Sequence, residues 1–272
     1  MILRFAENPV SNYLASAPLA LALERALECL VLRKEQFVAP VLDMGCGDGL
    51  FARILFADKI DTGIDLNSSE IACAAKTGAY VELICCSGSQ IPKASGTYRT
   101  VFSNSVLEHI PDLLPVVREA HRLLEPGGSF FFTVPTDEFE QHALIHRILI
   151  GCRLTSLAAR FRKWYNRFWR HFHAYNTRHW KKLAEDAGFE VVAMVRYNPP
   201  GMTTRNDSLS PVAALASILK RLTGRWVLWP KLRRVLFAPI APKIERSLAE
   251  KGVSGDGSLV LVRACKVLEN AL

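Results

Sequence analysis

The stretch Val41-Leu42-Asp43-Met44-Gly45-Cys46-Gly47-Asp48-Gly49 constrains the fold of this chain more than any other. An apolar run ends in Asp43, three glycines follow at alternate positions, and a helical apolar pattern resumes at Leu50, Phe51, Ile54 and Leu55. The pattern reads as a strand, a tight turn and a helix. Glycine has no Cβ, so such a turn lets backbone N–H groups and a helix N-terminus come close to a ligand. The order G-x-G-x-G differs from the G-x-G-x-x-G of dinucleotide sites, which receive a pyrophosphate. Asp43 and Asp48 flank the turn, and two carboxylates suit a ligand with an ammonium group better than a phosphate. A second run, Thr62-Gly63-Ile64-Asp65-Leu66, carries another acid 22 residues after Asp43. An acid at the tip of the second strand is where a Rossmann-like fold holds ribose hydroxyls.

Two further landmarks follow in order. Ser103–Ile110 reads S-N-S-V-L-E-H-I, and Leu124-Glu125-Pro126-Gly127-Gly128 reads L-x-P-G-G. Together with G-C-G-D-G and Gly63-Ile64-Asp65-Leu66 they resemble the class I S-adenosylmethionine (SAM)-dependent methyltransferases, specifically the subgroup with these landmarks, over residues 41–135. The resemblance implies an α/β fold: a Rossmann-like seven-stranded sheet in the order 3-2-1-4-5-7-6, its last strand antiparallel, with helices on both faces. It implies SAM as the cofactor. Asp43 and the backbone of Gly45, Cys46, Gly47, Asp48 and Gly49 would hold the amino acid part of the donor. Asp65 would hold the ribose, Leu66, Ser87 and Gly88 would line the adenine end, and Asn104 and Ser105 the methionine end. Relatives carry an acid where Ser87 stands; a hydroxyl accepts the same hydrogen bond without charge assistance, so weaker donor binding is expected. His109 is the candidate general base, since an imidazole takes a proton near neutral pH. The E-x-x-E-H metal motif of some quinone-modifying relatives has Ser105 in place of its first glutamate, so no metal is expected.

With 272 residues, half of them hydrophobic, the chain can bury a full α/β core as one domain with insertions. No apolar run reaches the roughly 18 residues needed to span a bilayer. Leu14–Leu32 is apolar, but Glu24, Arg25 and Glu28 interrupt it and no basic stretch precedes it, unlike a secretory signal. Seven cysteines without metal spacing fit a reducing, cytoplasmic setting. Residues 1–36 read as a helical cap. The methyltransferase core is expected at 37–135, 176–198 and 257–268, and residues 136–175 and 199–256 form two helical insertions serving as a substrate lid.

Charge separates these parts. The net charge is +8, yet Gln141–Ala184 holds ten Lys or Arg and no acid, and Arg196–Ile244 holds nine against Asp207 alone, leaving −10 for the rest. An acidic body with basic insertions points to an anionic partner: nucleic acid, a phosphorylated substrate or an anionic membrane surface. In the first insertion Leu154, Leu157, Phe161, Trp164, Tyr165, Phe168 and Phe172 recur at helical steps beside Arg160, Lys163, Arg167 and Arg170. In the second, Leu215, Ile218, Leu219 and Leu222 form one stripe, and Trp226, Trp229, Leu232, Val235 and Leu236 suggest another. Basic helices with an aromatic and aliphatic face match interfacial membrane binding; helices packed on a domain with their charges in water carry the same pattern. Nucleic acid ranks lower because the apolar stripes are continuous. His171, His173 and Tyr175, just before a helix expected at Asn176–Ala187, are further candidates to face the acceptor. The resulting expectation is methyl transfer to an oxygen or nitrogen of a small-molecule, saccharide or lipid-linked acceptor, in the cytoplasm, with association at the membrane surface left open. The alternatives are an RNA methyltransferase, and a catalytically inactive regulatory or interaction protein on the same fold.

Overall fold

A computed structural model describes residues 1–267. The chain runs α1 (Pro9–Ser16), α2 (Leu19–Leu32), β1 (Val41–Met44), α3 (Leu50–Leu55), β2 (Ile60–Asp65), α4 (Ser68–Ala75) and β3 (Tyr80–Cys85). It continues β4 (Tyr98–Asn104), α5 (Leu114–Leu123), β5 (Leu124–Pro135), α6 (Leu144–Gly151), α7 (Thr155–Trp169), α8 (Thr177–Asp186) and β6 (Phe189–Tyr197). The second insertion holds α9 (Pro200–Ser208), α10 (Ser210–Thr223), α11 (Pro230–Phe237) and α12 (Ala241–Lys251), and β7 (Leu259–Lys266) returns to the sheet. The expected core segment 257–268 extends one residue past the described ones, at Leu268.

One seven-stranded sheet has the order β3-β2-β1-β4-β5-β7-β6. The first five strands pair in parallel, and β7 lies antiparallel between β5 and β6. This is the expected topology. Side chains alternate across a strand, and β5 shows the result: Phe131 packs into one core, Phe130 and Phe132 into the other. The first core, under α1, α2 and α3, centres on Phe37, whose ring lies 4.9–5.9 Å from those of Phe5, Phe56, Phe102 and Phe131. The second lies under α5 and α8, where Trp180 is fully buried and its indole N–H donates to the Pro135 carbonyl at 3.0 Å.

Helix starts follow local chemistry. The Asn67 carboxamide oxygen accepts the Ser69 N–H at 2.9 Å to begin α4, and Asn176 accepts from His179 at 3.0 Å to begin α8. The N-terminal segment differs from the single helix the periodicity suggests. Pro18 cannot donate an N–H, so the helix breaks into α1 and α2 between Ser16 and Leu19. Residues before α1 are extended, bridging Ile2 to Val38 and Phe5 to Phe56. Among the described residues no helix is long and apolar enough to cross a membrane.

Candidate active site

The glycine turn leaves β1 with Gly45, Gly47 and Gly49 at φ of +87°, +52° and +73°, a region that L side chains rarely adopt. A Cβ at Gly49 would stand 3.0 Å from the Ala74 Cα, so the third glycine lets α3 pack on α4. A Cβ at Gly47 would meet nothing within 4 Å. Gly47 therefore borders open space, the crevice above the carboxyl ends of β1 and β2. Asp65 fixes that rim: one carboxylate oxygen accepts the Gly47 N–H at 3.0 Å, the other the Asn67 N–H at 2.8 Å. Leu66 is 77% exposed beside it. Across the crevice Ser87 is also exposed, its hydroxyl 2.9 Å from that of Ser89, and Gly88 packs near Val116.

Asp43 is turned inward. It is buried and accepts the Tyr80 hydroxyl at 2.7 Å. Burial pushes its carboxyl up to about 7; the Tyr80 bond pulls it down, and the nearby Asp65 charge pushes it further up. Asp48 divides its oxygens: one caps α3 through the Leu50 N–H at 3.1 Å, the other meets Lys220 Nζ at 2.9 Å and the Trp226 indole N–H at 3.1 Å. Lys220 also reaches Glu70 at 3.1 Å and lies 4.8 Å over the Trp226 ring. The second insertion is thus fastened to the glycine turn. Burial works against the Lys220 charge, yet Asp48 and Glu70 together hold its pKa above the usual value.

At the end of β4, Asn104 and Ser105 are held from an unexpected direction. The Glu28 carboxylate, fully buried on α2, accepts the Asn104 amide at 2.7 Å and the Ser105 hydroxyl at 2.8 Å. Arg25, one turn earlier, pairs with the same carboxylate at 2.6 Å. Ser105 has φ of +50°, and its N–H donates to the carbonyl and hydroxyl oxygens of Thr133, each at 3.0 Å. These contacts on both sides hold a backbone conformation that is unfavourable for serine.

Beyond Ser105 opens a cavity of about 630 Å3. Arg25, Glu108, His109 and His171 line its polar part, and Phe139, Tyr165, Phe168 and Trp226 contribute an aromatic wall. One Glu108 carboxyl oxygen is buried with no hydrogen-bond partner. Burial pushes this carboxyl up to about 8, which favours its protonated form. The His109 Nδ1 lies 3.2 Å from the Arg170 carbonyl, which only accepts. Nδ1 therefore carries the proton, and Nε2 is left with its lone pair. Burial lowers the His109 pKa, and the bond to the Arg170 carbonyl opposes it. Its ring lies 5.3 Å from that of His171, which burial and the His109 charge hold at about 4.

Of the acceptor-side candidates, His109 and His171 line this cavity. His173 turns away: its Nε2 lies 2.9 Å from the Ile110 carbonyl and 3.2 Å from that of Pro111. Tyr175 packs against Trp180 at 5.1 Å, at the edge of the second core. The sequence reading expects no metal, yet the ligand atoms of Glu108, His109 and His171 lie within 4.8 Å of one another, close enough to share a divalent ion. Arg25, Glu28, Glu108, Lys220 and Trp226 were not expected in the site. Arg25 and Glu28 did leave a trace, as charges that, with Glu24, interrupt an apolar segment.

A ubiquinone biosynthesis O-methyltransferase of Aliivibrio fischeri is 32% identical over 103 residues, 36% of this chain and 44% of the relative. One of Pseudomonas aeruginosa is 32% identical over 99 residues, 34% and 43% respectively. The chain thus matches less than half the length of these curated relatives. Among solved structures, a SAM-dependent methyltransferase of Thermotoga maritima aligns with a TM-score of 0.57 at 15% identity, covering 91% of each chain. A geranyl diphosphate methyltransferase in complex with SAM aligns at 0.51 and 16% identity, over 91% of this chain and 85% of the other. At such identities these two structures speak for the fold. The family model described as a methyltransferase domain matches residues 13–194, well over half of the chain, from α1 into β6. This chain therefore belongs to the methyltransferase-domain family.

Proposed function

We propose that the chain binds SAM in the glycine crevice and moves its methyl group to an oxygen or nitrogen of a small-molecule acceptor held in the adjoining cavity. One observation carries this reading: Ser105, at the carboxyl end of β4 where the donor's methionine end is expected, also lines the cavity. Donor and acceptor would meet there. The residues fit the donor: the open face of Gly47 leaves room for it, Asp65 stands at the ribose position, and Leu66 offers an exposed apolar surface to a base. When bound, the donor supplies an electrophilic methyl on a positively charged sulfur.

What the chain contributes is chiefly alignment, and positioning alone supplies a large part of a barrier reduction. Glu28, clamped by Arg25, fixes Asn104 and Ser105. The aromatic wall excludes water and holds a flat or apolar acceptor body. His109 presents Nε2 as the base for an acceptor hydroxyl or ammonium proton. We read the acceptor as apolar or lipid-linked and the working place as an anionic membrane surface, because both basic insertions wall the cavity with apolar side chains.

Calorimetry with SAM tests the first half of the proposal, and labelled-methyl transfer into lipid, saccharide and RNA fractions tests the second. We expect stoichiometric SAM binding and label in a small-molecule or lipid fraction. Absence of SAM binding overturns the reading; label confined to RNA replaces the acceptor class.

A further inference from the structure

We propose that α7 and α10 together form the surface by which this protein sits on an anionic bilayer, with the acceptor cavity opening between them. Apolar side chains of this size are normally buried. On α7, Leu157, Trp164 and Phe168 are 47%, 55% and 53% exposed. They recur at steps of seven and four, so they share one face of the helix. Trp164 and Phe168 stack at 5.3 Å. On α10, Leu215, Ile218 and Leu222 are 69%, 54% and 80% exposed at steps of three and four. Two unpartnered rows of this kind exceed the scattered exposed leucines of an ordinary surface.

Charge selects the occupant. Arg160, Lys163 and Arg167 run beside the α7 row, and Arg221 and Arg225 beside the α10 row. None of the five has an ion pair among the described residues, whereas Arg162 is paired with Glu140 and Lys220 with Asp48. Apolar rows bordered by free cations match an anionic lipid headgroup layer over an acyl interior. A second copy of the chain would bring these like charges together.

The cavity supplies direction. Phe168 and Ile218 line it while remaining half exposed, so each insertion contributes an apolar residue to its rim. An apolar acceptor would pass from the lipid into the cavity without crossing water. This last step rests on the acceptor reading above; the membrane seat does not.

The test is co-sedimentation of the full chain with vesicles of phosphatidylcholine alone, or with about a third phosphatidylglycerol. The variants are Trp164→Glu with Leu222→Glu, both outside the cavity lining, and Lys163→Glu with Arg167→Glu. Wild type should bind the anionic vesicles and release as salt rises. Each double variant should lower partitioning by at least about tenfold, with SAM binding by calorimetry unchanged. No binding to anionic vesicles, or binding that the variants retain, overturns the proposal. So does a stable dimer in sedimentation velocity that Trp164→Glu with Leu222→Glu dissolves, since the face would then be covered by a second copy. Vesicle binding in a protein that fails to bind SAM would sink the methyltransferase reading and leave the membrane seat intact.

Discussion

Replacing Asp43 by asparagine should make the protein more stable relative to wild type as pH rises from 4 to 7. Asp43 is 3% exposed, and its carboxyl is raised from 3.8 to about 7, chiefly by burial. A group whose folded pKa is raised contributes stability that is complete below its unfolded pKa and is lost as pH rises through the folded value. Between those limits the native state holds one proton more than the unfolded state, so unfolding free energy falls by about 1.4 kcal/mol per pH unit from this group alone. From pH 4.5 to 6.5 that amounts to about 3 kcal/mol, and the whole shift to about 4 kcal/mol. Asparagine keeps the shape, does not titrate, and offers the Tyr80 hydroxyl the same oxygen to donate to. Urea unfolding of both proteins at half-unit pH steps gives the difference directly, and groups common to both, such as Glu24 and Glu108, cancel. Parallel stability curves for wild type and Asp43→Asn over pH 4.5–6.5 would refute the reasoning.

Other substitutions separate architecture from binding. Gly49→Ala should lower stability by about 1–3 kcal/mol, from a positive φ and the contact with Ala74, read as a lowered melting temperature. Gly47→Ala, with open space in front of it, should cost less stability and instead weaken SAM in calorimetry. Asp65→Ala should weaken SAM about tenfold to a hundredfold, through lost charge-assisted bonds to the ribose and a loosened Gly47. His109→Ala should lower kcat about a hundredfold or more with little change in SAM affinity, whereas His173→Ala, whose ring faces backbone carbonyls, should leave kcat within about threefold. Equal effects of the two histidine variants would remove His109 from its role.

What could be read in advance follows from how locally each feature is encoded. The glycine turn is written in Gly45-x-Gly47-x-Gly49, which acts within a few residues, whereas the strand order came only with the resemblance to the methyltransferases. Asp65 lies at a strand tip, where the topology alone puts it at the crevice. Contacts between distant segments left no such pattern. Glu28 meets Ser105 across 77 residues and Trp226 meets Asp48 across 178, and no periodicity encodes either meeting. Which of two neighbouring histidines faces the cavity was not legible for a different reason: His171 and His173 are two residues apart, and only the path of the chain past Ile110 sends one ring inward and the other onto a carbonyl. Pro18, by contrast, announced a break that apolar spacing alone concealed.

The tie between Lys220, Trp226 and Asp48 has one more implication. The helix that carries Lys220 also carries Ile218 and Arg221, which line the acceptor chamber. A swing of α10 that uncovers the glycine turn would therefore open both compartments at once. On the proposed chemistry, spent donor and methylated product would leave through a single gating event. Turnover would then follow the pace of that helix, and anything that pins α10, a lipid surface included, would act as a throttle.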